Sequence, residues 1–221
     1  MHSFTAHAGV LSLTFLLAAC GGNEPSAGTS SSNATAQTMA INAEIAKQLP
    51  LDDQQDFADA TRGLIASQKP LQVKNADGKV LWDMEKYAFI DGAAPDSVNP
   101  SLWRQAKLNN IHGLFEVTPG IYQLRGFDLA NITLIQGKTG WILVDPLTTA
   151  PTARNALAFA REQLGDQKIS AIIFTHSHID HFGGIDGVLT DNEREQLQVI
   201  APEGFMEEAS SENILAGPTM Q

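Results

Sequence analysis

One cysteine, Cys20, occurs in 221 residues. No intrachain disulfide can form, even in an oxidising compartment, so stability must come from a packed core. Basic residues are also scarce, with 14 Lys and Arg against 25 Asp and Glu, a net charge of −11. That balance argues against nucleic acid as a partner and against attraction to anionic lipid headgroups. The apolar run Val10 to Ala19 is far short of the roughly 20 residues that span a bilayer. Histidine is absent after His181. What is present is an apolar content of 43%, enough for the core of one ordinary domain with an N-terminal extension.

Residues 1–20 read as an export signal, with a short apolar centre ending in Leu17-Ala18-Ala19-Cys20-Gly21. This ending resembles a bacterial lipoprotein processing site, in which Cys20 becomes the lipidated first residue. Met1 to Gly9 carries no Lys or Arg, a departure from the usual basic start. Ordinary cleavage after a small residue, releasing a soluble periplasmic protein, is the alternative. Residues 21–40, rich in Gly, Ser, Ala, Thr and Asn, bury too little to offset their ordering entropy and are expected to form a flexible linker. Attachment at Cys20 would be the only link to a membrane.

Residues 41–112 are expected to form an extension of short elements. A helix over 41–49 should stop at Pro50. Asp52 or Asp53 should cap a second, with Phe57, Ala60, Leu64 and Ile65 at helical spacing. Asn75-Ala-Asp-Gly-Lys predicts a hairpin turn between arms 71–74 and 80–82, and a helix is expected over 101–109. From Gly113 the pattern becomes α/β. Strands are expected at 114–117, 121–124, 132–135 and 141–145, then a helix over 151–164 and a strand at 169–174. A helix from Ile185, a strand at 198–200 and a helix over 202–210 should follow.

The strand ending in Ala171-Ile-Ile-Phe174 runs into Thr175-His176-Ser177-His178-Ile179-Asp180-His181-Phe182-Gly183-Gly184. A single loop histidine is ordinarily just a polar loop residue. Three imidazoles and a carboxylate in the pattern H-x-H-x-D-H, at the C-terminal end of a buried strand, form a metal-ligand set. On a turning loop His176 and His178 can face one way while Asp180 and His181 face another, which suits two ions clamping a hydrolytic water. The two glycines let the backbone fold close beneath.

This stretch resembles the metal motif of the metallo-β-lactamase superfamily, the αββα hydrolases. Gly113 to Thr133, Val144-Asp-Pro-Leu, Ile200-Ala-Pro-Glu-Gly-Phe-Met and Ser211-Glu-Asn-Ile-Leu-Ala-Gly look like its alkylsulfatase branch. The resemblance implies that residues 113–221 form the first half of such a sandwich. It implies two Zn²⁺ ions, with His176, His178, Asp180 and His181 as ligands and Asp180 also orienting the nucleophile. The implied activity is hydrolysis of alkyl sulfate esters such as dodecyl sulfate, by a homodimer in the full-length relatives. Asp145 matches an acidic residue that supports the metal loop, although a turn or cap before Pro146 explains it equally well. His112, Arg125, Lys138, Glu203, Glu207 and Glu208 are weaker candidates, each with an ordinary structural explanation.

Two ions need more ligands than one loop supplies, and the resembled family provides further Glu and His downstream. The expectation is therefore a truncated chain that holds metal weakly, exposes a sheet edge and does not turn over alone. A superfamily hydrolase of a β-lactam, thioester or phosphodiester, or a lipoprotein with a vestigial metal site, are the competing readings.

Overall fold

The computed structural model describes residues 34–189, 194 and 197–217. The expected export segment, with Cys20, and residues 21–33 of the linker lie outside the described residues. The last residues of the expected linker are helical. Thr35 accepts a hydrogen bond on its hydroxyl from the Thr38 amide at 3.1 Å, and this cap starts α1 (Ala36–Gln48) inside it. Helix α1 ends at Leu49, which is extended before Pro50.

Helix α2 (Gln55–Thr61) follows Asp53, whose Oδ1 accepts from the Gln55 amide at 2.8 Å. The predicted helical stripe through Leu64 and Ile65 does not form. Gly63, at φ 74°, turns the chain, and Leu64–Ala66 becomes strand β1, antiparallel to β4 (Gly113–Thr118). The boundary expected at residue 113 is therefore crossed by sheet hydrogen bonds, and the extension supplies an edge strand to the main sheet. The hairpin forms as predicted from β2 (Gln72–Lys74) and β3 (Val80–Asp83). Asn75 Oδ1 accepts from the amides of Asp77 and Lys79. Helix α3 (Pro100–Asn109) starts on Asn99 with Pro100 in its first turn.

The main sheet continues with β5 (Ile121–Arg125), β6 (Ile132–Gln136), β7 (Trp141–Val144), β8 (Ile169–Ile173) and β9 (Gln198–Ile200). Its order is β1-β4-β5-β6-β7-β8-β9. Pairing is antiparallel as far as β7, then parallel from β7 to β8 and β8 to β9. The parallel step is made by α4 (Ala150–Leu164), capped by Thr149 and closed by Gly165 at φ 91°. Its stripe of Ala153, Ala156, Leu157 and Ala160 is buried in one cluster with Leu134, Trp141, Leu143 and Ile172. Each large side chain buried there contributes about 1.5–3 kcal/mol. Beyond β8 come one helical turn, α5 (Ile179–Phe182), a 3₁₀ turn (Ile185–Gly187) in place of the longer helix expected, and α6 (Phe205–Ser211). A π-helical turn, Glu212–Ala216, extends α6. Among the described residues β9 has no outer partner, and Val199 and Ile200 are exposed.

Candidate metal centre

Parallel register sets Val144 beside Ile173, so β7 and β8 release their chains at the same level of the sheet. Asp145 follows β7 at φ 57°, a conformation rare for a residue with a Cβ, and its side chain is buried. Its Oδ1 accepts from the Thr175 amide at 2.9 Å. Its Oδ2 accepts from the Thr175 hydroxyl at 2.7 Å and from His181 Nδ1 at 2.8 Å. Asp145 thus supports the loop and also makes the turn before Pro146; the cap of α4 is Thr149.

These bonds order the imidazoles. The Thr175 hydroxyl spends its one proton on Asp145, so it must accept from His176 Nδ1, 2.9 Å away. That leaves His176 Nε2 with a free lone pair. His181 gives its Nδ1 proton to Asp145, and its Nε2 lies 3.3 Å from Asp180 Oδ2. In its neutral form the ring then presents the Nε2 lone pair to that carboxylate. Tetrahedral ligands of one Zn²⁺, with bonds of about 2.0–2.1 Å, lie about 3.4 Å apart. The pair fits a shared cation in both chemistry and spacing.

His176 lies 4.6 Å from His178 and 4.0 Å from His181, centroid to centroid. The structure thus brings all four predicted ligands together. It differs from the expected open loop in one respect: Asp180 and His181 sit within α5, with His178 as its N-cap. Among the described residues no three of these donors converge on a single point. Gly183 and Gly184 seat the turn. A Cβ on Gly184 would lie 2.1 Å from the Pro146 carbonyl oxygen, and one on Gly183 2.4 Å from that of Thr148.

Two contributors were not singled out from the sequence. Thr175, which links Asp145 to His176, stands beside the motif, but its hydroxyl acts only once β7 lies alongside β8. Glu212 Oε1 reaches to 3.5 Å from His178 Nε2. It is brought there by α6, where Phe205 packs on Phe174 at 5.3 Å and on Phe182 at 5.2 Å.

The weaker candidates separate cleanly. Both ring nitrogens of His112 face carbonyl oxygens, of Asn110 and Gln68, so it ties loops together. The Arg125 guanidinium lies 4.3 Å above the Phe115 ring and donates through Nε to Gln123. Burial lowers its pKa from the ordinary guanidinium value. It lines a cavity of about 580 Å³ with Trp82, Tyr87 and Leu129. Lys138, Glu203, Glu207 and Glu208 are exposed and lie outside the cluster. Asp128, which the sequence did not suggest, is buried and accepts from Leu129, Thr148 and Thr152. It pins the loop after β5 to the segment beneath the metal motif.

Residues 125–191, from the end of β5 through the motif, match the family model of the metallo-beta-lactamase superfamily. That similarity to the superfamily takes in the H-x-H-x-D-H turn and the strands β6, β7 and β8 that lead to it. Within it the likeness is to alkylsulfatases. The chain is 53% identical over 190 residues to an (R)-specific secondary-alkylsulfatase of a Pseudomonas species, covering 85% of this chain and 28% of that relative. It is 46% identical over 186 residues to the alkyl/aryl-sulfatase BDS1 of Saccharomyces cerevisiae, covering 83% and 29%. The solved structure of the stereoselective inverting sec-alkylsulfatase Pisa1 from Pseudomonas superposes with a TM-score of 0.81 at 53% identity, over 85% of this chain and 30% of that one. The chain therefore spans less than a third of the length of these relatives.

Proposed function

We propose that this chain carries part of the active site of a metal-dependent hydrolase of alkyl sulfate esters, dodecyl sulfate among them. The observation that supports the reading best is the likeness to alkylsulfatases that runs through the ordered motif. In it His176, His178, Asp180 and His181 hold two Zn²⁺ ions. Bound ions of this kind supply Lewis acidity, lowering the pKa of water and offsetting charge on the departing sulfate. The chain's own residues do the positioning: Asp145 and Thr175 fix the rings, and Asp180 accepts a hydrogen bond from the attacking water and orients it. With a net charge of −11, the anionic ester is drawn in by local cations, not by the overall field. Four donors are too few for two ions of four-fold coordination, so the 221-residue polypeptide alone is proposed to lack turnover. Export to the periplasm, attachment through Cys20 and homodimerisation complete the proposal.

A chimera tests the activity. Substituting residues 34–217 for the matching part of the Pseudomonas relative is expected to give release of sulfate from an alkyl sulfate. His178→Ala in that chimera should lower the rate by about 100-fold or more, equivalent to roughly 3 kcal/mol of transition-state stabilisation. Nitrocefin cleavage without sulfate release would overturn the substrate assignment. Sulfate release by the purified 221-residue chain would overturn the proposed inactivity. For the anchor, Cys20→Ser should move the protein from the detergent to the aqueous phase on Triton X-114 partition.

A further inference from the structure

The protein meets the three imidazoles at different ring nitrogens. His176 is held through Nδ1 by the Thr175 hydroxyl, and His181 through Nδ1 by Asp145. His178 is turned round: its Nε2 faces Glu212 Oε1 at 3.5 Å. Among the described residues Glu212 is the one charged group at a His178 ring nitrogen, and the ring also meets that of His176 edge to face, 4.6 Å between centroids. Its side chain is 60% exposed, against 22% for His181, so packing alone does not fix the ring.

Glu212, by contrast, is well placed to fix it. Its side chain is 28% exposed, while Glu207 and Glu208 on the adjoining helix point to solvent. The element that carries it is clamped to both ends of the motif. Phe174 precedes the histidines, Phe182 follows them, and Phe205 of α6 packs on both while the first two lie 6.0 Å apart. The π-helical turn then swings Glu212 over the N-cap of α5, where His178 stands.

We propose that Glu212 is a positioning residue of the metal centre. It accepts the Nε2 proton of His178 and thereby turns the Nδ1 lone pair toward the ion. A carboxylate in this place fixes the tautomer and raises the basicity of the ligating nitrogen, and losing such a partner typically weakens metal binding by about 10–100-fold. This rests on the reading of His178 as a ligand made under the proposed function.

Zn²⁺ affinity, measured by competition with a chromogenic chelator on the whole chain, together with long-range ¹H–¹⁵N spectra of His178, tests it. The wild type should show the Nε2–H tautomer. Glu212→Ala should mix the tautomers and weaken Zn²⁺ binding by about 10–100-fold. Glu212→Gln, whose amide oxygen still accepts, should keep the tautomer and recover most of the affinity. Glu207→Gln, which removes the same charge from the exposed face of α6, should change neither. Should Glu212→Ala fail to fold, Glu212→Met keeps the side-chain length and carries the same expectation. Wild-type affinity in the folded Ala or Met variant, or an Nδ1–H tautomer in the wild type, overturns the role of Glu212 while leaving the metal site standing. Equal affinity of wild type and His178→Ala overturns the underlying reading, and this proposal with it.

Discussion

Asp145 joins two stretches of chain through three hydrogen bonds, two to Thr175 and one to His181. Replacing it by Ala leaves the Thr175 amide and hydroxyl and the His181 ring without a partner. The expected loss is about 1–3 kcal/mol of stability in urea denaturation, and Zn²⁺ affinity should fall about 10–100-fold. Asp145→Asn keeps one acceptor and should fall between. The cluster itself was legible from the sequence because four donor side chains stand within six positions. Asp145 was half legible, since an acid before Pro146 is also an ordinary turn residue. The contact of Glu212 with His178 was not legible. Glu203, Glu207 and Glu208 are equally acidic neighbours in sequence, and only the packing of Phe205 distinguishes the one that reaches a histidine.

At the scale of elements, the motif depends on a tight seat. Gly184→Ala would force its methyl against the Pro146 carbonyl, 2.1 Å away, and the Thr149 carbonyl, 2.8 Å away. Backbone must shift, at a cost of about 1–3 kcal/mol, visible as a lower melting temperature even without metal. Phe205→Ala should cost about 2 kcal/mol by emptying the aromatic cluster. It should also loosen Zn²⁺ binding, because α6 would no longer hold Glu212 in place. Periodicity found the strands and α4 well, since apolar runs and a one-sided stripe are local properties. It failed at Leu64 and Ile65, where helical spacing is satisfied but Gly63 and the open edge of β4 offer sheet pairing instead. It also missed the start of α1, because a Thr35 cap looks no different in sequence from the other Thr and Ser residues before it.

For the molecule as a whole, the exposed edge of β9 is the feature most open to test. Among the described residues no strand pairs with the outer edge of β9, where Val199 and Ile200 are 44% and 46% exposed, and such an edge invites pairing with another chain. Sedimentation velocity should show concentration-dependent association, and Val199→Lys should reduce it without lowering the melting temperature. The pairing of β1 with β4 could not be read from composition, because it joins residues about fifty positions apart and leaves no local mark. The same separation in sequence governs how the metal centre comes into being. Asp145 meets Thr175 and His181 only after the whole of α4 has crossed between two parallel strands. A newly made chain therefore has no organised socket to offer until that crossover has docked. On the proposed reading the ions bind after that docking, and chelating agents should leave the collapse of the sheet unhindered.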